Sequence, residues 1–164
     1  MMQEILNPFA PVFDEHSRVL ILGTMPSPKS REKGFYYGHP QNRFWRVLSA
    51  VLDEPLPESD VQKREFVLKR GIALYDVLRS CAISGASDAS IRRPVANDLS
   101  PILERAEIRA IFATGQKAAV LYRAHCEKKT GREIVALPSP SPANCAFSME
   151  QLIRAYQVIV DFLR

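Results

Sequence analysis

The chain has 164 residues, 46% of them hydrophobic and 24% charged, with 22 Lys and Arg against 18 Asp and Glu. That length predicts a single domain spanning residues 1–164 whose core needs neither metal nor disulfides, and the apolar content excludes a disordered chain. No run approaches the roughly 20 apolar residues of a membrane span, and a net charge of +4 permits a polyanionic partner without demanding one.

The N-terminal stretch MMQEILNPFA has a glutamate and no basic region, so no signal peptide is expected. Four short apolar runs, each closed by turn residues, read as buried parallel strands: 18–23, 72–76, 108–113 and 133–137. Helical patterns fall between them. In 42–52, Phe44, Val47, Leu48 and Val51 repeat along one face. Ser59 and Gln62 form a capping-box pattern opening a helix that runs to residue 70. Ser100 and Pro101 supply an N-cap and first-turn proline for a helix through 106, and 117–125 reads as another. Ser148 and Gln151 cap the last, whose Leu152, Tyr156, Ile159, Val160 and Leu163 form a core-facing stripe. This alternation predicts an α/β/α sandwich, with ligands beyond the carboxyl ends of its strands. Two unusual loops lie at such ends, 24–41 and 138–144. Three cysteines at wide spacing form neither a disulfide framework nor a metal knuckle, which points to a reducing, cytoplasmic compartment.

The first loop and its flanks read GTMPSPKSREKGFYYGHPQNRFW over 23–45. Gly23 permits a tight turn straight off the strand, and Pro26 and Pro28 stiffen the chain beyond it. Phe35, Tyr36 and Tyr37 then offer a flat surface for a nucleobase, while Lys29, Arg31, Lys33, Arg43 and Arg46 suit a phosphate backbone. Phe44 and Trp45 read as core. Phe35 is divided between core and stacking, and Tyr37 favours stacking. Asn42 is also well placed as a helix N-cap, and His39 before Pro40 is equally suited to bonding the backbone. Asp76 either faces a ligand or pairs with Arg79 or Arg93. Ser87 and Asp88 read as a turn before they read as pocket lining, and Arg92-Arg93 and Lys128-Lys129 as solvated. His125 and Cys126 lack a partner pattern for zinc or a thiol nucleophile. The second loop, Leu137-Pro-Ser-Pro-Ser-Pro-Ala-Asn144, is either a stiff connector or a rigid edge pressed against a ligand.

Together, Gly23-Thr-Met-Pro-Ser27, Phe35-Tyr-Tyr-Gly-His-Pro-Gln-Asn-Arg-Phe-Trp45 and Leu137-Pro-Ser-Pro-Ser141 resemble the uracil-DNA glycosylase superfamily, and within it the hypoxanthine-DNA glycosylases. The resemblance implies a four-stranded parallel sheet between helices, in an enzyme that flips a deaminated base out of DNA. It places Tyr37 where the base stacks, Gly23 to Ser27 in the first catalytic loop and Ser139 where relatives carry His or Asn. Ser141, Pro142, Ala143 and Asn144 fall at the edge that relatives press into the duplex, and Asp76 near the position that reads the base edge. Many relatives carry Asp or Asn at the position of Met25, whose thioether cannot orient water. The resemblance passes that role to Asn42. Iron–sulfur branches need four cysteines, so no metal and no cofactor are expected.

N-glycosidic cleavage develops positive charge on the sugar and negative charge on the base. On this reading Tyr37 and Phe35 receive the base with Met25, Ser27 and Asp76. Asn42 orients water, backbone N–H groups after Gly23 hold the leaving oxygen, and His39 and Ser139 assist. Arg43, Lys29 and the 141–144 edge meet single- or double-stranded DNA. The expected enzyme is a monomeric, monofunctional hypoxanthine glycosylase. Its rivals are a uracil or mismatch-specific glycosylase and a lesion-binding protein without chemistry.

Overall fold

In the computed structural model, which describes residues 2–164 and so leaves Met1 of the N-terminal stretch outside it, the central strand is buried on both faces. Val19 and Ile21 enter one core while Leu20 and Leu22 enter another. This strand, β2 (Val19–Gly23), lies between β3 (Ile72–Asp76) and β6 (Ala110–Thr114), and β7 (Val135–Leu137) completes a parallel sheet of order β3-β2-β6-β7. All four predicted strands are present, and continuous apolar runs are what double-sided burial requires.

The first core is covered by α2 (Phe44–Leu52), α3 (Asp60–Lys69) and α7 (Met149–Tyr156), which continues as a 3₁₀ turn over Gln157–Phe162. The second is covered by α4 (Ser100–Arg105) and α5 (Gln116–His125), followed by the short α6 (Glu127–Thr130). The sheet between these helices is the predicted three-layer α/β/α sandwich. Both predicted capping boxes form, with Ser59 and Ser148 bonded reciprocally to Gln62 and Gln151. Ser100 is not the cap of its helix. It is the first helical residue, and Asp98 accepts its N–H at 3.0 Å.

Two features have no counterpart in the sequence reading. One is α1 (Pro28–Lys33), one and a half turns inside the first loop, capped by Ser27 and ended by Gly34 in the left-handed region. The other is a second, antiparallel sheet of order β1-β4-β5, formed by Gln3–Leu6, Leu78–Ile83 and Arg92–Ala96. Its outer strands are mostly exposed, β5 contains Pro94, and bulges break the β4–β5 register. None of these strands shows clean alternation. The sheet nonetheless matters for the site, because β4 begins two residues after β3 ends and draws the N-terminal segment beside Asp76.

Candidate active site

Parallel register sets Gly23 opposite Asp76, and Thr114 opposite Leu137, at one edge of the sheet. Val77 N–H donates to the Gly23 carbonyl at 2.8 Å and Leu78 N–H to the Thr24 carbonyl at 3.0 Å, so the chains leaving β2 and β3 stay together. Beyond this edge opens a cleft of about 150 Å³. Its walls are Gly23 to Ser27 and Ser30 of the first loop, Tyr36, Tyr37 and Asn42, then Asp76, Thr114, Ser139–Ser141 and the turn after β4.

Tyr37 holds a left-handed backbone at φ 52° and lies stacked on Phe44, with ring centroids 3.9 Å apart. Its hydroxyl is 3.0 Å from Thr114 Oγ1. Burial pushes its titration far above the ordinary tyrosine range, with the Asp76 charge acting the same way and the Thr114 hydrogen bond opposing. Gly23 is required by this packing. A Cβ there would come within 2.7 Å of Asp76 Oδ1 and 3.3 Å of the Tyr37 hydroxyl.

Asp76 is 4% exposed. Among the described residues it has no ion-pair partner, and Arg93 pairs instead with Glu4. Its Oδ2 accepts from Asn7 Nδ2 at 3.0 Å. Desolvation pushes its pKa up to about 7, against the opposing effect of the Asn7 hydrogen bond.

Asn42 lines the cleft, and its Oδ1 accepts from Phe44 N–H at 2.9 Å at the start of α2. The N-cap position is held by Arg43, so Asn42 sits one residue before it; an amide oxygen has two lone pairs, and this bond leaves one for water. Ser139 Oγ accepts from Ser141 N–H at 3.2 Å, and Ser27 Oγ accepts from Ser30 N–H at 3.1 Å. Met25 is half-buried on the wall, offering sulfur and methylene surface.

Gly23, Met25, Ser27, Tyr37, Asn42, Asp76, Ser139 and Ser141 thus meet on one cleft. Phe35, His39, Lys29, Arg43, Pro142, Ala143 and Asn144 do not line it. Phe35 packs on Trp45 with centroids 6.1 Å apart, on the core side of the reading. His39 Nδ1 accepts from Gln41 N–H at 3.0 Å, the backbone bond that suits a histidine before proline. Lys29 pairs with Glu32 at 3.4 Å on the exposed face of α1. Arg43 points into the chain: its guanidinium donates to the carbonyls of Phe147, Ser141 and Asn144 at 2.6 to 3.1 Å. Asn144 Nδ2 donates to the Ser139 carbonyl at 2.9 Å, and Pro142 and Ala143 form the exposed crest between them.

Two contributors carry no sequence signal, and a third is only the second choice there. Thr114 ends a strand as one polar residue after an apolar run. Asn7 follows an exposed strand and carries no local motif. Asp88, with Gly85 and Ala86, lines the cleft where the sequence favours a plain turn.

The model of the uracil DNA glycosylase superfamily matches residues 10–161. The hypoxanthine DNA glycosylase of Methanosarcina acetivorans is 36% identical over 142 residues, covering 85% of this chain and 89% of that protein. The one of Methanosarcina barkeri is 37% identical over 112 residues, covering 67% of this chain and 71% of that one. A solution NMR structure described as a candidate uracil DNA glycosylase from Methanosarcina acetivorans superposes with a TM-score of 0.79 at 30% identity, over 98% of this chain and 99% of that one. Family match, relatives and fold agree with the cleft at the sheet's carboxyl edge: the chain belongs to the uracil DNA glycosylase superfamily.

Proposed function

We propose that this protein is a monofunctional DNA glycosylase that hydrolyses the N-glycosidic bond of hypoxanthine in DNA. The observation that carries the reading is the convergence of Tyr37, Asn42 and Asp76 on one cleft. The cleft, of about 150 Å³, is open to solvent rather than enclosed, as a site that receives a base from outside must be. The two Methanosarcina relatives named for hypoxanthine support the choice of base.

Extruding a base costs a few kcal/mol, least for a mismatched one. Stacking on the face of Tyr37 away from Phe44 would return about 1–3 kcal/mol. The C1′–N9 electron pair then leaves with the base, and water adds to the sugar carbon, with its proton balancing the charge on hypoxanthine. Asn42 Oδ1 orients that water. An amide is a weak base, but an oxocarbenium-like sugar needs little prior deprotonation of its nucleophile. Among the described residues no lysine lines the cleft, which supports hydrolysis without a Schiff base. The 141–144 crest and the exposed Lys29 and Arg46 are the proposed DNA contacts, with the protein acting as a monomer.

The test is strand cleavage after alkali on duplexes carrying one hypoxanthine, uracil or xanthine. Hypoxanthine should be excised fastest. A uracil-first ranking would give the protein the activity named for its solution-structure neighbour. Excision of none would leave a lesion-binding protein.

A further inference from the structure

The two oxygens of Asp76 are not equivalent, and Asn7 sets them apart. The Asn7 amide has one workable orientation: its Oδ1 accepts from Phe9 N–H at 2.9 Å, and its Nδ2 donates both to Asp76 Oδ2 and to the Leu78 carbonyl, each at 3.0 Å. Turned over, it would set donor against donor at Phe9 and acceptor against acceptor at Leu78. Asp76 Oδ2 therefore always faces a donor, and a proton on this carboxyl resides on Oδ1. That oxygen lies against the bare Cα of Gly23, at the cleft. Among the described residues the phenols of Tyr36, Tyr37 and Tyr75 feel the Asp76 charge and are uncharged at neutral pH, and the Asp88 carboxyl, whose titration burial also raises, lines the same cleft.

We propose that Asn7, outside the cleft lining, is a positioning residue for base recognition: by occupying Oδ2 it directs Oδ1 of Asp76, the oxygen that would carry a proton, at an acceptor edge of the flipped base such as O6 and N7 of hypoxanthine. The inference rests on the glycosylase reading above. As the C1′–N9 bond breaks, the electron pair spreads over the purine, including N7 and O6. A neutral O–H donor stabilises that charge, whereas a carboxylate would repel it. Burial keeps Asp76 neutral up to a pH of about 7, and the Asn7 bond favours the ionised form. Loss of that bond moves the titration upward.

The experiment is single-turnover excision of hypoxanthine against pH. It compares the unaltered protein, Asn7→Asp, which keeps the acceptor for Phe9 and, once ionised, has no donor for Asp76 or Leu78, Asn7→Ser, which adds no like charge, and Asp76→Asn. The unaltered protein should slow as pH rises through about 7. The Asn7 variants should slow at a pH higher by roughly one unit, and Asp76→Asn should not slow in that range. Asn7→Ser is the variant read if Asn7→Asp does not fold. No excision by the unaltered protein defeats the glycosylase reading itself. Excision with Asn7 variants slowed by one factor at every pH, or a slowing that persists in Asp76→Asn, overturns the positioning role alone.

Discussion

Tyr37 lies flat on Phe44, their planes 14° apart, while its hydroxyl reaches across to Thr114. One face of the phenol is closed by this stack, so a base can use only the other. The stack and the hydrogen bond together hold a residue whose backbone sits at φ 52°, a conformation costly for any side chain but glycine. Tyr37→Phe keeps the stack and loses the Thr114 bond, which should lower stability by about 1 kcal/mol and change excision little. Tyr37→Ala should weaken binding to hypoxanthine duplex by about 1–3 kcal/mol. Titrations at one fixed salt concentration check this, and equal losses on matched duplex would argue against stacking.

Gly23 stands where β2, Asp76 and the Tyr37 hydroxyl come together. Its added methyl in Gly23→Ala would meet Asp76 Oδ1 at 2.7 Å, closer than real contacts allow. The carboxyl must then move out of the place from which it faces the cleft. Excision should fall at least about tenfold, a barrier increase of about 1.4 kcal/mol, with the fold retained by circular dichroism. Unchanged kcat/KM would show that the Asp76 position is irrelevant to the reaction.

Asn42 combines two roles on one oxygen, and substitutions can part them. Asn42→Ala removes the hydrogen bond to Phe44 N–H, for a loss of about 1 kcal/mol in stability, and removes the water-orienting group. Asn42→Ser keeps an acceptor for Phe44 N–H but not the reach. Denaturation should rank Ser near the unaltered protein and Ala below it, while both lose excision. Full activity in Asn42→Ser would leave Asn42 as a structural acceptor for Phe44 N–H and nothing more.

The parallel sheet was legible because buried strands announce themselves as short apolar runs, and the helices because capping boxes and 3.6-residue stripes are local signals. The antiparallel sheet was not. Leu6 and Val95 are exposed, Pro94 interrupts β5, and pairing of Gln3 with Ile83 is a long-range event without a local mark. The site divides the same way. Gly23 and Asp76 end strands, and Tyr37 and Asn42 sit in the aromatic loop before α2, whereas Asn7 acquires its place only through the β1–β4 pairing. Arg43 shows the opposite limit, since a basic residue in a DNA-facing motif reads as a phosphate ligand until its three carbonyl partners are seen.

That arrangement of Arg43 gives a distinct expectation. Its backbone N–H also donates to the Pro140 carbonyl at 3.0 Å, so one residue ties the start of α2 to the last loop. Arg43→Ala leaves three carbonyls short of a donor and should destabilise by at least about 2 kcal/mol. Arg43→Lys cannot reproduce the planar fork and should recover little. The salt dependence of binding to undamaged duplex should keep its slope, because no phosphate contact is lost. A slope shallower by about 0.9 would instead place Arg43 on the DNA backbone.

Asp76 also leaves a mark on folding. In the folded chain it holds its proton up to a pH of about 7, whereas the ordinary value is 3.8. Between these pH values the folded state binds a proton that the unfolded chain has released, so stability declines as pH rises and levels off above about 7. At about 1.4 kcal/mol per unit, the whole window is worth several kcal/mol. Asp76→Asn supplies a neutral amide whose oxygen can keep the Asn7 bond, and it carries no such slope. Denaturant unfolding of both proteins at intervals from about pH 4 to pH 8 should show the variant gaining on the unaltered protein up to about pH 7 and holding its advantage beyond. A constant difference across the range would mean that Asp76 is already ionised in the folded state at pH 4, and that Oδ1 carries no proton to offer a base.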